Sequence, residues 1–581
     1  NGFALTATAY RFFFKRTGLE STIKKILRDL DTGSIKNLQT RGKAVRKAIL
    51  DVNLPDELKE EVADAYKELE QMYGKNVDVA VRSSATAEDL PGASFAGQQE
   101  TYLNIKGPDE VLYATKRCIA SLFTDRALSY RVDKGFSHFD VALSVGIQKM
   151  VRSELASSGV AFTIDTESGF DKVGVIDAIY GLGEYIVQGI VVPDEFVVWK
   201  PGLDAGKKAV IERNLGNKNV KLIYGDPKKP MKHDLTGGGV RMVKVSPEDH
   251  AKFSLTEDEI MKLASWCYEI EKHFSKKHKR YQPMDIEWAK DGATNELFIV
   301  QARPETVQAL KNKNVFKEYR LEGKGELLTE GIAVGQKIGV GKVRVIKDVK
   351  KIEEFREGEV LVTEITDPDW EPIMKIAAAI VTDKGGRTSH AAIVSRELGI
   401  PCIVGTANAT KILKSGMEVT VNCASGEIGR IYAGALPFKT VEHRLDKLPE
   451  TKTKIMVNIG SPDEAFKMHF LPAKGVGLGR LEFIIASHIK IHPNALIDYQ
   501  KLTDKKLKAQ IEKLTEGYKD KTEYYVDELA EGIAKIAAAF HPEEVIIRFS
   551  DFKTNEYQKL LGGELYEPHE ENPMLGWRGA S

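Results

Sequence analysis

"TDKGGRTSHAAIVSRELGIPCIVG", residues 382–405, places one histidine, His390, directly behind a glycine pair and a Thr-Ser. Thr388 and Ser389 are N-cap types, Ala391 to Leu398 favours helix, and Gly399 followed by Pro401 stops it. The pattern predicts a short helix with His390 in its first turn. At that position the free backbone N–H groups and the positive end of the helix dipole disfavour an imidazolium and favour a negative group attached to the ring. That suits a nucleophile that becomes phosphorylated. Gly385 and Gly386 let the backbone approach closely, while Arg387 and the Thr388 hydroxyl can hold phosphate oxygens. A capping histidine that only fills space is the competing reading of any lone His. The convergence of glycines, arginine, hydroxyls and helix start favours the carrier.

Outward from this helix runs a compact β-rich module, with "GKVRVI", "EVLVTE", "AAIVTD" and "MEVTVNCASGEIGRIYAG" as strand segments. Charged, weakly patterned sequence flanks it from Ala309 to about Gly325 and again in "LPFKTVEHRLDKLPETKT", and both stretches read as linkers. Residues 309–437 are therefore assigned to one domain with its linkers. Residues 1–308 are mixed: a charged helical region to about residue 75, strands such as "VGVIDAIYG" and "EFVVWK", and two closing strands around an Asp-Gly turn in "PMDIEWAKDGATNELFIVQARPETVQ". From about residue 450 to Ser581 strand and helix alternate as in a parallel β/α architecture, with room for about three units where a closed barrel needs roughly 250 residues. The fold class is thus α/β and α+β, multidomain.

In "DIEW" the period of two puts Asp285 and Glu287 on one face of a strand, and in "VQAR" it puts Gln301 and Arg303 on one face of its partner. If the two faces coincide, carboxylates and an amide oxygen make a hard-cation site beside a guanidinium, which Mg²⁺ and nucleotide phosphates need; a solvated amphipathic hairpin is the alternative. "VRSSATAED" offers Arg82, three hydroxyls and a Glu-Asp pair after a short apolar strand, either as a phosphate clamp or as a polar surface loop. "YGLGEYIVQG" lacks the third glycine of a dinucleotide fingerprint, so a nicotinamide site is set aside. Arg480 in "GVGLGRLEF" and Arg548 in "IIRFSDF" fall at the C-terminal ends of short apolar runs, where parallel barrels place their active sites. Joined by Arg578 in "ENPMLGWRG", they can clamp a small phosphorylated carboxylate; surface arginines in loops are the alternative.

At 581 residues the chain is too long for one core. Its 84 basic and 84 acidic residues leave no net charge to attract nucleic acid or an anionic membrane, so small-molecule partners are expected. Cys118, Cys267, Cys402 and Cys423 are far apart with no C-x-x-C spacing, which argues against a disulfide framework or a zinc site and fits a reducing, cytoplasmic compartment. No apolar run approaches a membrane span, and "NGFALTATAYRFFF" has neither a basic n-region nor a cleavage site.

Taken in order, "VRSSATAEDLPGASFAGQQETYLNI", "PMDIEWAKDG…LFIVQARPETVQ", "GGRTSHAAIVSRELGIPCIVG" and "IIRFSDFKTNEY…EENPMLGWRG" resemble the phosphoenolpyruvate synthase (pyruvate, water dikinase) family of PEP-utilizing enzymes. The resemblance runs through essentially the whole chain. It implies an ATP-grasp nucleotide-binding domain over 1–308, a swivelling phosphohistidine domain over 309–437, and over 450–581 part of a (β/α)8 barrel for pyruvate and phosphoenolpyruvate. It further implies a gluconeogenic, homodimeric enzyme that moves the β,γ-pyrophosphoryl group of ATP to a histidine, loses phosphate to water, and passes the remaining phosphoryl to pyruvate. Matched motif to motif, His390 is the carrier; Arg82, Asp285, Glu287, Gln301 and Arg303 fall on the ATP positions, with Glu287 and Gln301 on Mg²⁺; Arg480, Arg548 and Arg578 fall on the pyruvate positions. The family's upstream Gly-Gly-Lys-Gly loop would precede Asn1, and the barrel's metal-binding acids and proton-donating cysteine would follow Ser581, so a portion of a synthase of roughly 800 residues is expected. Pyruvate, phosphate dikinase and a non-catalytic phosphocarrier module are the alternatives.

Overall fold

The computed structural model describes every residue except 86–88, 91–92, 95–100, 134, 226–239, 306–314, 368–369, 388, 446–448, 450 and 571–581. The chain is a mixed helix-and-sheet, multidomain protein. Its N-terminal unit is built on two large antiparallel sheets. In the first, Val79–Ala85 lies between Leu143–Lys149 and Thr101–Ile105, with Gly2–Leu5 at the edge. Val79 and Val81 alternate with half-buried Ala80 and Arg82 and point at the core, where helices Ala7–Thr17, Ile35–Asp51 and Asp56–Tyr73 deliver Phe13, Val45, Ile49 and Tyr66. Six strands form the second sheet, ordered Val210–Asn214, Asp194–Trp199, Val173–Tyr180, Ser157–Phe162, Met284–Lys290 and Leu297–Pro304. Helix Glu257–His278 covers it, started by a capping box between Thr256 and Glu259. The last two strands are the expected hairpin, but their connection is wider than a tight Asp-Gly turn: the Asp291 carboxylate gathers the N–H groups of Arg152, Ala293 and Thr294, and Asn295 takes a left-handed conformation (φ 59°).

The histidine module is a closed barrel of seven strands, running around the ring as Leu327–Val334, Cys402–Val404, Ala379–Thr382, Val360–Thr363, Ile338–Val345, Glu418–Asn422 and Ile428–Ala433. Four of these form a parallel run, and helix His390–Leu398 is the crossover between Ala379–Thr382 and Cys402–Val404. The crossover ends at Gly399 in the left-handed region (φ 66°), as the Gly-Ile-Pro sequence requires. The flanking stretches read as linkers depart from that expectation. Val315–Leu321 and Phe438–Arg444 pair as a two-stranded antiparallel ribbon in which Lys317 faces Glu442 at 2.7 Å. Aromatic and β-branched residues interleaved with opposite charges supply the cross-strand contacts that a composition-based reading discounted.

In the C-terminal unit three parallel strands, Val457–Ile459, Val476–Arg480 and Val545–Arg548, carry helices Pro462–Met468 and Lys521–Phe540. This unit shares one apolar cluster with the N-terminal unit: Phe170, Val173, Val197 and Ile211 pack with Phe466, Ile536 and Phe540, and the Phe170 and Phe466 rings stack at 4.8 Å. The joint between the histidine module and the N-terminal unit is ionic instead. Arg396 is paired with Glu167, which also accepts the Gly335 N–H at 3.0 Å, and Arg387 lies 3.7 Å from Glu195. All four cysteines are buried and none is in a disulfide, and among the described residues no helix is long and apolar enough to cross a membrane.

Candidate active site

The register of the hairpin brings the polar faces together. Asp285 lies opposite Arg303 and Glu287 opposite Gln301. Asp285 accepts from Arg303 Nε at 2.8 Å and Nη2 at 2.6 Å, a fork that fixes the guanidinium. Arg82 arrives from the other sheet of the unit: its Nη2 donates to Glu287 Oε2 at 3.3 Å and to the Gln301 amide oxygen. All five nucleotide-site residues expected from sequence therefore form one cluster across the two sheets. Glu287 and Gln301 offer a carboxylate and an amide oxygen side by side, a hard-oxygen donor pair of the kind Mg²⁺ takes when substrate phosphates complete its shell. The guanidinium of Arg82 sits on both of those oxygens, so a cation there requires Arg82 to turn to a phosphate.

His390 is the first residue of its helix and is buried, with 9% of its surface exposed. Burial, with a smaller contribution from Arg126, lowers its pKa to about 3, so the imidazole is neutral. Its Nδ1 lies 3.1 Å from Thr366 Oγ1, and with Nδ1–H donated to that oxygen the Nε2 lone pair stays free to attack phosphorus. The loop before it is pressed onto the N-terminal unit: a side-chain carbon added to Gly189 (φ 67°) would meet Ser389 Cβ at 2.4 Å, so only glycine fits. Gly385 itself has φ 107°, the conformation that lets this loop turn into the helix. Arg387 is not placed as expected. Its guanidinium pairs with Glu427 at 2.7 Å and faces Glu195, so in this arrangement acidic side chains occupy the group expected to hold phosphate. Thr388, most of the hydroxyl-rich loop after Ser84, and Arg578 lie outside the described residues.

Arg480 and Arg548 are each the last residue of a parallel strand and stand directly beside one another in the register. Adjacent strands are about 4.8 Å apart, so two cations share one sheet end. Glu482, which sequence reasoning missed, holds Arg548 Nη2 at 2.5 Å and the Asp551 N–H at 2.8 Å through the same oxygen. It orients one guanidinium and leaves the pair with net positive charge. Thr366 and Gly189 were missed as well: Thr366 follows an apolar strand in "VLVTEIT" with nothing local to mark it, and Gly189 belongs to the glycine-bearing stretch set aside as a dinucleotide motif.

Three family models match successive segments of the chain. Residues 1–323 match the pyruvate phosphate dikinase AMP/ATP-binding domain, residues 355–426 the mobile domain of PEP-utilising enzymes, and residues 438–581 their PEP-binding domain. The whole chain is 52% identical to phosphoenolpyruvate synthase of Aquifex aeolicus, of which it covers 73%. It is 53% identical to the enzyme of that name from Synechocystis and 49% identical to the one from Escherichia coli, covering 71% of each. With all of its sequence matched at that level, the chain belongs to the phosphoenolpyruvate synthase family.

Proposed function

We propose that the protein makes phosphoenolpyruvate from ATP, pyruvate and water, releasing AMP and phosphate, with His390 as the covalent carrier. The observation that carries this reading is the state of His390: a neutral imidazole at a helix N-terminus, its Nδ1 tied to Thr366 and its loop pressed onto the unit that holds the Arg82, Asp285, Glu287, Gln301 and Arg303 cluster. Nε2 attacks the β-phosphorus of ATP, an N–P bond forms, the bond from that phosphorus to the α,β-bridging oxygen breaks, and AMP leaves. Water then attacks the terminal phosphorus and releases phosphate. A base takes a methyl proton of pyruvate, and as the N–P bond breaks the remaining phosphoryl passes from Nε2 to the resulting enolate oxygen, with Arg480 and Arg548 attracting the substrate's negative charge. Glu287 and Gln301 would hold Mg²⁺, which when bound would supply charge neutralisation to the phosphates.

On this reading the two antiparallel sheets of the N-terminal unit are an ATP-grasp domain, the seven-stranded module swivels, and the three parallel strands belong to a (β/α)8 barrel. The histidine lies against one unit and the arginine pair stands on another, and the ionic joint of the module is the kind that releases while the apolar joint persists. The deciding experiment follows AMP formation with ATP, Mg²⁺ and pyruvate. AMP is expected without added phosphate; an absolute requirement for phosphate overturns water as second acceptor and supports the dikinase alternative.

Thr366 gives a separate test. Thr366→Val keeps the shape and removes the oxygen that selects the tautomer, so phosphorylation of His390 by ATP is expected to slow by up to about tenfold. Thr366→Ser restores the rate, and ¹⁵N shifts of His390 in Thr366→Val show both neutral tautomers. The pH dependence has a defined sign. The unfolded histidine titrates near 6.5 and the folded one well below it, so between those values only the unfolded state takes up the proton. The contribution of this group to stability is complete above about pH 6.5 and is lost progressively as the pH falls toward the folded value.

A further inference from the structure

All three units meet at one charged junction, a small cavity of about 30 Å³ lined by Asp165, Glu195, Glu212, Arg387, Glu427 and Lys535 among others. Carboxylates outnumber cations in its lining. Lys535, 5% exposed and on helix Lys521–Phe540 of the C-terminal unit, reaches into it. Its ammonium lies 2.9 Å from Glu212 of the N-terminal unit, 3.6 Å from Glu427 of the histidine module and 3.7 Å from Asp463 of its own unit. Glu427 in turn is the 2.7 Å partner of Arg387, three residues before the carrier histidine. A chain of charges therefore runs from the C-terminal unit through Lys535, Glu427 and Arg387 to the His390 loop.

We propose that Lys535 is a positioning residue that sets the resting place of the histidine module, holding it on the N-terminal unit by supplying the cation that Glu427 loses when the module leaves. The apolar joint fixes Lys535 relative to Glu212 and Asp463, so the ammonium stays behind with them when the module moves. Without that cation, Glu212, Glu427 and Asp463 face one another across the junction as like charges in a poorly solvated space, and moving the module away is the cheapest relief. Burial pushes the Glu427 carboxyl up, yet Arg387 and Lys535 hold it well below the usual carboxylate range, as a docked, ionised partner requires. The inference rests on the relay proposed above, in that a moving module is what the junction would hold.

The test is a distance measurement, independent of turnover. Spin labels on Lys207→Cys of the N-terminal unit and Lys350→Cys of the module, both exposed sites, report the separation in the full-length protein without interference from the four buried native cysteines. In the parent a short distance is expected to dominate. Lys535→Met should raise the ratio of long to short distances by at least about tenfold, and Lys535→Arg should restore it. Glu427→Gln removes the module's side of the same attraction without adding repulsion and should shift the ratio in the same direction by a smaller amount, so a Lys535→Met protein that does not fold leaves the decision to Glu427→Gln. ATP-driven labelling of His390 should slow with the shift. An unchanged distance distribution in the folded variants overturns the proposal, whatever the activity. A parent protein that shows the short distance but forms no phosphohistidine refutes the relay instead.

Discussion

His390→Ala protein incubated with β-labelled ATP and Mg²⁺ retains no acid-labile phosphate, where the parent is labelled at one histidine. The loss is to background, because no other group at the site can make the same bond. Thr366 keeps its hydroxyl but has no lone pair of comparable nucleophilicity, and the buried Ser389 hydroxyl has no hydrogen-bond partner among the described residues to activate it. Folding survives the change. The imidazole is buried, so its removal leaves a small void and one hydroxyl without a partner, together a cost of about 2–3 kcal/mol. Circular dichroism and the melting temperature check this, and peptide mapping identifies the labelled residue. Label that persists in His390→Ala, or that maps to another of the 12 histidines, sinks the relay.

How much of this site can be read from sequence depends on how far apart its partners lie. The hairpin is legible because a period of two is exact and its strands are neighbours: Asp285 and Glu287 must share a face, as must Gln301 and Arg303, and the register then brings the two faces together. The helix before Gly399 is legible because its capping grammar is local. Arg82 is suggested only by its place after an apolar strand, since its contact with Glu287 spans 205 residues and joins two sheets. Arg387 shows where local reading stops. The Gly-Gly-Arg-Thr sequence points it at phosphate, and in this arrangement it pairs instead with acids distant in sequence, Glu195 of a different unit and Glu427 of its own barrel. Local reasoning has no access to a charge balance struck between units. The linkers fail for a related reason: neither half of the ribbon looks like a strand until the other is beside it, because its stabilising pairs, such as Lys317 with Glu442, are cross-strand.

The cluster on the hairpin and the arginine pair on the parallel strands should separate when each is tested alone. Arg548→Gln is expected to lower kcat/KM for phosphorylation of His390 by phosphoenolpyruvate by about 10²-fold, ~3 kcal/mol, the worth of a charge-assisted contact to a carboxylate or phosphate. Its effect on phosphorylation by ATP should be negligible. The expectation follows from position: Arg548 and Arg480 end adjacent parallel strands, and the carboxylate nearby, Glu482, spends one oxygen on Arg548 and the Asp551 N–H, leaving the pair cationic. Arg480→Gln should act in the same direction, and the double variant should lose less than the sum, because both charges serve one small anion. Glu287→Gln supplies the mirror experiment. It keeps the hydrogen-bonding shape but removes the charge that pairs with Arg82 and that a phosphate-bound cation would use, so it should slow the ATP reaction by about 10²-fold and leave the phosphoenolpyruvate reaction intact. Both half-reactions are read by quenched-flow labelling of His390 in the full-length protein. If Arg548→Gln slows transfer from ATP as much as from phosphoenolpyruvate, or Glu287→Gln slows both alike, one site serves both substrates and the histidine need not travel.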